Sequence, residues 1–363
     1  MSRRVTLQSI ADQLGYSAKT VSNAFNRPDQ LSAATRQRIL ETATRIGYAG
    51  PDPIAAGLRR GRVGALGFAY ANTLTYAFED PVSVELLAGI SSVAESAAVG
   101  LLLVPGAAIA DRNAAAVHSA AIDGLVISSL PDDDPLLAAA LSRRLPAVVI
   151  DQPDPGTLER VSPGPAPAWV GIDDRAAAAA AAEHVLALGH RELGVISFAL
   201  DRAPTRAVVD ERAQAAGSYA VTRHRLEGYR DAATRAGVDW RRVPVVAGTN
   251  STVAEGAAAA VTLLERTPRP TAILCLSDRL AQGAIETATA RGLQIPDDLS
   301  IVGFDDAAIA PELGLTTVRQ PTRRKGELAA AALLALIAGG GVDRRHVLGT
   351  ELVVRTSTGK RLR

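Results

Sequence analysis

From residue 63 onward, short apolar runs alternate with longer Ala-rich segments, and this alternation constrains the fold more than any other feature of the chain. The apolar runs predict strands; they are VGALGFA, VGLLLVP, DGLVISS, PAVVID, AWVGID, ELGVISF, VPVVAG, TAILCLS and LSIVGFD. The segments between them predict helices, among them 83–98, 175–188, 226–236, 252–266 and 279–291. Strand–helix alternation indicates an α/β fold of parallel sheets with helices on both faces. Because about ten strands are too many for one comfortable sheet, we expect two sheets in two lobes.

Composition agrees with this fold class. Apolar residues make up 47% of the 363 residues, but Phe, Trp and Tyr only 4%, so Ala, Val and Leu must supply most of the packing. The Pro-rich stretch 151–168 is the expected first crossing between the lobes. The one cysteine, Cys275, lies in an apolar run, which favours a small buried side chain over a nucleophile. The first residues lack the apolar core of a signal peptide, and no run of about 18 apolar residues occurs, so we expect a cytoplasmic protein.

Charge is distributed unevenly along the chain. Residues 1–62 carry ten Lys or Arg and four acidic side chains, a formal charge of +6. The rest carries 29 basic and 34 acidic side chains, a formal charge of −5. A small basic head on an acidic body indicates that only the head meets a polyanion.

The basic head predicts three short helices. We expect Thr6 to cap the first, Ser17 the second and Ser32 the third, with Gly15 supplying the turn between the first two. Two helices joined by a short Gly-containing turn in a basic segment are typical of a helix-turn-helix.

The second of these helices, SAKTVSNAFN, has only two large apolar side chains. Val21 and Phe25 are four residues apart and are expected to point inward, on one stripe of the helix. The outward face then holds polar or small side chains, namely Ala18, Lys19, Ser22 and Asn23. Such a face is either simply solvated or reads a partner, and the charge distribution favours the second interpretation.

Over essentially its whole length the sequence resembles the LacI/GalR family of bacterial transcription regulators. The matching stretches, in order, are TLQSIADQLGYSAKTVSNAFN, LSAATRQRILETATRIGY, GIDDRAAAAAAAEHVLALGHREL, RLEGYRDA, LSDRLAQGAIETATARGLQIPDDLSIVGFDD, LTTVRQP and ELVVRTST. The resemblance implies a helix-turn-helix DNA-binding domain at 1–49 and a hinge linker with a short helix at 50–62. It also implies a two-lobed effector-binding and dimerisation domain at 63–363, like a periplasmic sugar-binding protein.

The resemblance further implies a sequence-specific repressor that binds pseudo-palindromic operator DNA as a homodimer. A small metabolite, a sugar or a nucleoside, would bind between the lobes and change the affinity for DNA. Neither a cofactor nor a metal is expected. Whether the metabolite is an inducer or a corepressor stays open.

Matching positions then give the expected DNA contacts. Ala18, Lys19 and Asn23 would read bases: Asn23 can pair with adenine, Lys19 with guanine acceptors, and the Ala18 methyl can meet thymine. Ser17, Thr20 and Ser22 would contact phosphates, although Ser17 can also serve only as a helix cap. In the hinge stretch PDPIAAGL, Leu58 would wedge into the minor groove, the alternative being ordinary packing.

The effector site is expected at the carboxyl ends of the strands, in the cleft between the lobes. The residues implied by the resemblance are Ser128, Asp151, Arg225, Asn250, Ser277, Asp305 and Gln320. Tyr70, Tyr76 and Phe78, in the stretch YANTLTYAFEDP, could supply aromatic stacking from the other lobe. Two of these residues have structural alternatives, Asp305 as a helix N-cap and Gln320 as a hydrogen bond at a lobe crossover.

Two other classes of protein compete with this interpretation. A solute-binding protein of a transport system would share the two-lobed body, but the basic head and the missing export signal argue against it. An enzyme is disfavoured because the sequence has no GxSxG, no P-loop, no GxGxxG after a strand and no HxxxH pair. After ELVVRTST only GKRLR remains, without a leucine heptad, so a dimer is expected rather than a tetramer.

Overall fold

The computed structural model describes residues 5–48, 50, 61–70, 72–105 and 110–361. The chain divides into two compact units, Met1–Gly64 and Ala65–Arg363. Most of the hinge proposed at 50–62, including Leu58, lies outside the described residues, so that part of the interpretation stays a prediction.

Over residues 5–48 the first unit is a bundle of three helices, and the sequence predicts where each begins. They are Leu7–Leu14 (α1), Ala18–Asn26 (α2) and Ala33–Arg45 (α3), with a 3₁₀ turn at Pro28–Gln30 between α2 and α3. The predicted caps are confirmed, because the hydroxyls of Thr6, Ser17 and Ser32 each accept a hydrogen bond from the backbone N–H three residues on. Six fully or almost fully buried side chains form the core: Ile10, Ala11, Val21, Ala24, Ile39 and Ala43.

The second unit contains two sheets in the part of the chain that the structure describes. The first sheet has six parallel strands in the order β12-β5-β4-β3-β1-β2. Its strands are Ala65–Tyr70 (β1), Gly100–Pro105 (β2), Gly124–Ser128 (β3), Ala147–Ile150 (β4), Ala168–Ile172 (β5) and Arg345–Leu348 (β12). Around it lie Leu74–Glu79 (α4), Pro81–Ser96 (α5), Ala110–Ser119 (α6), Pro135–Ser142 (α7), Pro155–Val161 (α8) and Thr322–Ile337 (α14). We call this sheet with its helices the first lobe.

The second lobe is built on a seven-stranded sheet in the order β13-β11-β10-β9-β6-β8-β7, in which the two edge strands run antiparallel to their neighbours. Its strands are Leu193–Ser197 (β6), Ala207–Val208 (β7), Val245–Ala247 (β8), Ala272–Cys275 (β9), Ser300–Asp305 (β10), Thr316–Arg319 (β11) and Glu351–Val353 (β13). Its helices are Asp174–Ala187 (α9), Glu211–Ala216 (α10), Ala220–Arg235 (α11), Val253–Leu264 (α12) and Asp278–Ala290 (α13), with a 3₁₀ turn at Trp240–Arg242. All nine predicted strands are therefore present.

The described chain passes between the lobes three times: after Ile172, between Arg319 and Thr322, and between Leu348 and Glu351. The prediction of a first crossing within 151–168 is wrong. That stretch joins two neighbouring strands of the first sheet, and it begins α8, because the Asp154 carboxylate caps a helix whose first residue is Pro155.

Close helix packing through small residues compensates for the shortage of aromatic side chains. In the first lobe α5 and α14 cross at Gly89 and Gly326. A Cβ atom on Gly89 would overlap the backbone carbonyl of Arg323, and one on Gly326 would overlap that of Leu86. The helices thus touch backbone to backbone. Cys275 is fully buried in the second lobe, as predicted. Among the described residues, no helix combines the length and the apolar character that a membrane crossing requires.

Candidate functional site

Helix α2 presents a polar face whose orientation is set by its cap and its buried stripe. The Ser17 hydroxyl accepts from the Thr20 backbone N–H at 3.0 Å and lies 2.8 Å from the Thr20 hydroxyl. Val21 is fully buried, while Phe25 is half-buried and contacts the edge of Tyr48, with ring centroids 5.7 Å apart. The opposite face therefore turns outward.

Two side-chain amides on this face are held by hydrogen bonds. Asn23 donates through Nδ2 to Oε1 of Gln30 at 3.0 Å. Asn26 donates to the backbone carbonyl and the hydroxyl of Ser22, at 3.1 and 3.2 Å. Lys19 is exposed. The face thus combines one exposed ammonium group with pre-oriented amides, the groups that read guanine and adenine edges in a major groove.

In the second unit, a cleft of about 360 Å³ lies between the two lobes, at the carboxyl ends of their strands. The size falls within the range of about 300–1,000 Å³ that is usual for small-molecule sites. The first lobe contributes Tyr70, Asn72, Tyr76, Asp80, Val82, Ser129, Asp151 and Gln152. The second lobe contributes Phe198, Ala199, Arg202, Pro204, Tyr219, Val221, Thr222, Arg225, Thr249, Asn250, Ser251 and Asp305, and Gln320 lies on a crossover between the lobes.

Three of the lining residues have a positive φ although none is glycine: Ser129 at 61°, Asp151 at 60° and Asp305 at 120°. All three lie where a parallel strand ends. Backbone conformations of this kind are costly and cluster at ligand sites, where they aim a side chain that a regular strand would turn away.

The floor of the cleft is a connected set of polar side chains. Lys325 Nζ donates to both carboxylate oxygens of Asp151, at 2.7 and 2.8 Å, and to Oε1 of Gln320 at 2.6 Å. Gln320 in turn donates through Nε2 to Oδ1 of Asp305 at 2.6 Å. One carboxylate from each lobe is therefore tied to the same crossover segment.

Arg225 is fixed in the wall of the second lobe. Its Nε donates to Oδ1 of Asp174 at 2.7 Å, and its Nη1 donates to the backbone carbonyl of Leu276 at 2.7 Å. The guanidinium carbon lies 3.5 Å from the ring centroid of Phe304, and Nη1 is 3.7 Å from Oδ1 of Asp305. A stacked, paired guanidinium of this kind is a rigid donor group.

Each charged residue that lines the cleft has a partner of opposite charge within 4 Å. The pairs are Asp80–Arg279 at 3.8 Å, Asp151–Lys325 at 2.7 Å, Arg202–Asp134 at 3.8 Å, Arg225–Asp174 at 2.7 Å and Asp305–Arg225 at 3.7 Å. Burial raises the pKa of Asp305 well above its ordinary value, and Arg225 opposes this. Burial likewise raises the pKa of Asp151, and Lys325 opposes it. Arg225 is shared between Asp174 and Asp305, so carboxylates outnumber cations in these pairs. Each cation that lines the cleft already faces a carboxylate, which leaves little to attract an anionic ligand.

Aromatic side chains contribute to both walls. Tyr70 and Tyr76 come from the first lobe, Phe198 and Tyr219 from the second. The Tyr76 hydroxyl donates to the backbone carbonyl of Ser251 at 3.2 Å and so bridges the lobes. Aromatic faces of this kind suit the flat apolar faces of sugar rings and bases.

A second set of bridges closes the other side of the cleft. Arg223 Nη2 lies 3.2 Å from Oδ2 of Asp132 and 3.3 Å from Oδ2 of Asp154. The Asp132 backbone N–H donates to the carbonyl of Ser218 at 2.9 Å. Asp132 and Asp134 thus both pair with arginines of the second lobe.

Comparison with known proteins identifies the family. A periplasmic binding protein-like domain matches residues 182–358. An HTH-type transcriptional regulator of Mycobacterium tuberculosis is 44% identical over 354 residues, which are 97% of this chain and 96% of that protein. The crystal structure of a LacI-family transcriptional regulator from Corynebacterium glutamicum is similar, with a TM-score of 0.73. The two sequences are 36% identical, and the comparison covers 99% of each chain.

The chain belongs to the LacI family of transcriptional regulators. The crystal structure of the lac repressor dimer bound to operator and the anti-inducer ONPF is also similar, at 25% identity and a TM-score of 0.77, with 98% of this chain and 100% of that chain covered. The resemblance inferred from the sequence and the expected two-lobed fold are both confirmed.

The structure brings most of the effector residues expected from the family resemblance into one cleft. Those in the lining are Tyr76, Asp151, Arg225, Asn250, Asp305 and Gln320. Asp305 is the last residue of β10 and not a helix cap. Gln320 combines both interpretations, since it lines the cleft and bonds at the crossover.

Three expected residues do not line the cleft. Phe78 is 61% exposed, because it lies two residues from Tyr76 in helix α4 and so projects from a different face. Ser128 is buried inside β3, and its neighbour Ser129 reaches the cleft instead. Ser277 caps α13 by accepting from the Leu280 backbone N–H at 3.2 Å, and its hydroxyl lies 2.8 Å from that of Ser251.

Three residues of this LacI-family protein escape sequence reasoning, two at the cleft and one in the head. Lys325 is 1% exposed but stands in the basic run TRRKGE, where a surface side chain is the natural expectation. Gln152 accepts from the Val221 backbone N–H at 3.0 Å across the lobes. Gln30 holds Asn23 from seven residues away, beyond any helical spacing. For none of the three does a local pattern give the partner.

Proposed function

We propose that this LacI-family regulator represses transcription by binding a pseudo-palindromic operator as a homodimer, and that a small neutral polyhydroxylated metabolite, such as a sugar or nucleoside, changes that affinity. The observation that carries the ligand class is the ion pairing of the cleft, in which Arg202 and Arg225 already face carboxylates and carboxylates outnumber cations. An anionic ligand would meet Asp80, Asp151 and Asp305, whereas hydroxyl groups can donate to them.

On the DNA, helix α2 lies in the major groove and reads bases with Ala18, Lys19 and Asn23. The hydroxyls of Ser17, Thr20 and Ser22 contact phosphates and fix the register. Leu58 wedges into the minor groove at the operator centre. The local geometry of α2 supports this, because Ser17 and Lys19 are exposed, the other polar residues of this face are partly exposed, and Asn23 is already oriented by Gln30. The lac repressor dimer with its operator is the precedent for the arrangement.

In the cleft, Asp151 and Asp305 accept from ligand hydroxyls, and the rigid Arg225 donates to a ligand oxygen. Asn250 and Gln320 add amide contacts, and Tyr76 supplies an aromatic face. Ligand binding stabilises one arrangement of the lobes, and through it one affinity for DNA. None of this requires the chain to catalyse a reaction, and its target places its action in the cytoplasm.

Two experiments test the proposal. Selection of bound sequences from a random DNA pool, at about 150 mM salt because phosphate contacts dominate at low salt, should enrich an inverted repeat. Enrichment of no sequence, with only salt-sensitive binding to all DNA, would contradict operator recognition.

The ligand class is tested by titration calorimetry with cellobiose, D-glucose, D-mannitol and adenosine, each beside an anionic relative such as glucose 6-phosphate or AMP. We expect at least one neutral compound to bind and to change operator affinity, and its anionic relative to bind roughly tenfold more weakly or worse. Stronger binding of the anionic relative would overturn the neutral ligand class.

A further inference from the structure

We propose that Lys325 is the positioning residue of the effector cleft: its ammonium group fixes Asp151 and Gln320, so that one carboxylate from each lobe is presented to the hydroxyls of the ligand. The inference rests on the proposed function and assigns a role to a residue outside the cleft lining.

The contacts of Lys325 use its whole hydrogen-bonding capacity. An ammonium group has three N–H donors, and three acceptors lie within 2.8 Å of Nζ, two on Asp151 and one on Gln320. The side chain is 1% exposed, while that of Asp151 is 24% exposed. The lysine therefore lies behind the aspartate, and only the aspartate reaches the ligand space.

The lysine also determines how Gln320 is oriented. Because Oε1 of Gln320 accepts from Lys325, its Nε2 must point the other way, and there it donates to Asp305 at 2.6 Å. The set begins on the first lobe at Asp151, passes through the crossover at Gln320 and ends on the second lobe at Asp305. One ammonium group thus orients acceptors on both sides of the cleft.

The positive charge of Lys325 is needed to hold Asp151, and an apolar side chain of the same length would not replace it. Asp151 sits where burial penalises its charge, and the charged groups that face it are Lys325 from α14, Arg225 from α11 and Asp174 from α9. Arg225 is already committed to Asp174. Without Lys325 the Asp151 carboxylate would lose its counterion and both of its short hydrogen bonds, and Gln320 would be able to rotate.

The test compares Lys325→Met with Arg324→Met in the full-length protein. Arg324 is the matched control, since it is the preceding residue on the same helix turn, is 59% exposed and pairs only at the surface with Glu327. The ligand is the neutral compound of the panel above that binds the wild type most tightly, measured by titration calorimetry below the unfolding temperature of each variant. We expect Lys325→Met to lose affinity by roughly tenfold or more and Arg324→Met to stay within about twofold.

A double variant separates positioning from a merely structural role. Asp151→Asn/Lys325→Met removes both charges together and should recover most of the thermal stability that Lys325→Met loses. If Lys325 acts through Asp151, the double variant keeps an affinity as low as that of Lys325→Met, although its stability returns. Loss of Lys325 removes a group that lowers the pKa of Asp151, so the affinity of Lys325→Met should fall at a higher pH than that of the wild type, and the double variant should not show this shift.

Three results would overturn the inference. One is an affinity of folded Lys325→Met within twofold of the wild type. Another is a double variant whose affinity returns with its stability. The third is that the wild type binds no neutral compound of the panel. That result would contradict the proposed ligand class, and with it this inference. It is distinguishable from the other two because it is seen in the wild type alone.

Discussion

The Nδ2 of Asn23 lies 3.0 Å from the Oε1 of Gln30, so a residue in the middle of α2 is held by the 3₁₀ turn that follows the helix. Because the amide nitrogen of Asn23 donates to Gln30, the carbonyl oxygen of the same amide points away from Gln30. An adenine edge needs one donor and one acceptor from an asparagine, and a fixed amide offers them without a rotational search.

Replacing Asn23 by alanine should therefore cost about 1–3 kcal/mol of binding free energy at the selected operator and relax the base preference at one position of each half-site. Gln30→Ala should reproduce part of that loss. Gln37→Ala is the control, because Gln37 is an exposed residue of α3 that bonds to Glu41 on the same helix. The measurement is a repeat of the DNA selection with each variant. Uniform weakening on all sequences would make Asn23 a phosphate contact instead.

Asp305→Asn should lower the affinity for the neutral ligand by roughly tenfold without lowering thermal stability. The asparagine can still accept from Gln320 through its oxygen, and burial already raises the pKa of Asp305, so the charge itself does not stabilise the fold. Titration calorimetry and a melting curve measure the two effects. Glu183→Gln, at an exposed surface pair, is the control. Unchanged affinity would remove Asp305 from the ligand contacts.

Arg223→Gln should weaken ligand binding by opening the cleft. Arg223 is 17% exposed and bridges Asp132 and Asp154, which lie on the other lobe. A bridge at such partial exposure is worth about 1 kcal/mol, or roughly a fivefold change in affinity. Small-angle scattering without ligand should show a larger radius of gyration. Arg235→Gln, on the same helix but 59% exposed, should change neither quantity. If the two variants have the same ligand affinity and the same radius of gyration, Arg223 does not hold the lobes together.

The buried Asp278 should make stability fall as the pH rises. Burial raises its pKa to about 7, while it accepts from the Thr317 hydroxyl at 2.6 Å and the Ala307 backbone N–H at 2.7 Å. Between the ordinary pKa of aspartate and about 7 the folded state holds a proton that the unfolded state has lost, so stability decreases with rising pH by up to about 1.4 kcal/mol per pH unit.

Asp278→Asn should remove that slope without titrating, because the asparagine oxygen can accept from the Ala307 backbone N–H while its NH₂ group donates to the Thr317 hydroxyl. Denaturant unfolding at pH 5.0, 6.0 and 7.5 gives the free energy of unfolding of the wild type and of the variant. The difference between the two free energies isolates the contribution of Asp278, because the other titrating groups are the same in both proteins. A difference that is the same at all three pH values would show that Asp278 titrates normally in the folded protein.

Gly326→Ala should destabilise the first lobe. The new methyl group would overlap the Leu86 carbonyl in α5, and only a separation of the two helices could relieve the overlap. Overpacking of this kind costs about 1–3 kcal/mol, against a gain of less than about 1 kcal/mol from the helix propensity of alanine. Gly341→Ala, with open space around its Cα, should stay within about 0.5 kcal/mol. Denaturant unfolding measures both, and equal stabilities would contradict the close crossing.

The features that sequence reasoning predicts are those encoded by neighbouring residues. The three caps of the head are confirmed because a cap hydroxyl bonds three residues away. The nine strands are confirmed because each is an apolar run, and all but β2 are almost wholly buried. The four strands that the sequence analysis does not include lack such a run: β7 has two residues, and polar or charged side chains interrupt β11, β12 and β13.

In the candidate site, too, the residues encoded by a local pattern are predicted and those that depend on distant contacts are not. Asp151 and Asp305 can be predicted from the sequence because each lies at the end of a recognisable strand. Lys325 is not, since its burial depends on packing against a strand end 174 residues earlier. Phe78 fails for a geometric reason, because two aromatic residues two positions apart cannot share one face of a helix.

The three crossings between the lobes also bear on the order in which the chain can fold as it is synthesised. Strands β1 to β5 emerge first, but the helix Thr322–Ile337 that packs against α5 and the strand Arg345–Leu348 that pairs with β5 come from the last fifth of the chain. The second lobe, by contrast, receives most of its sheet before those residues exist. The part of the body that is translated first is therefore completed only near the end of synthesis, and a nascent chain interrupted before residue 322 would leave its first lobe with an uncovered apolar face.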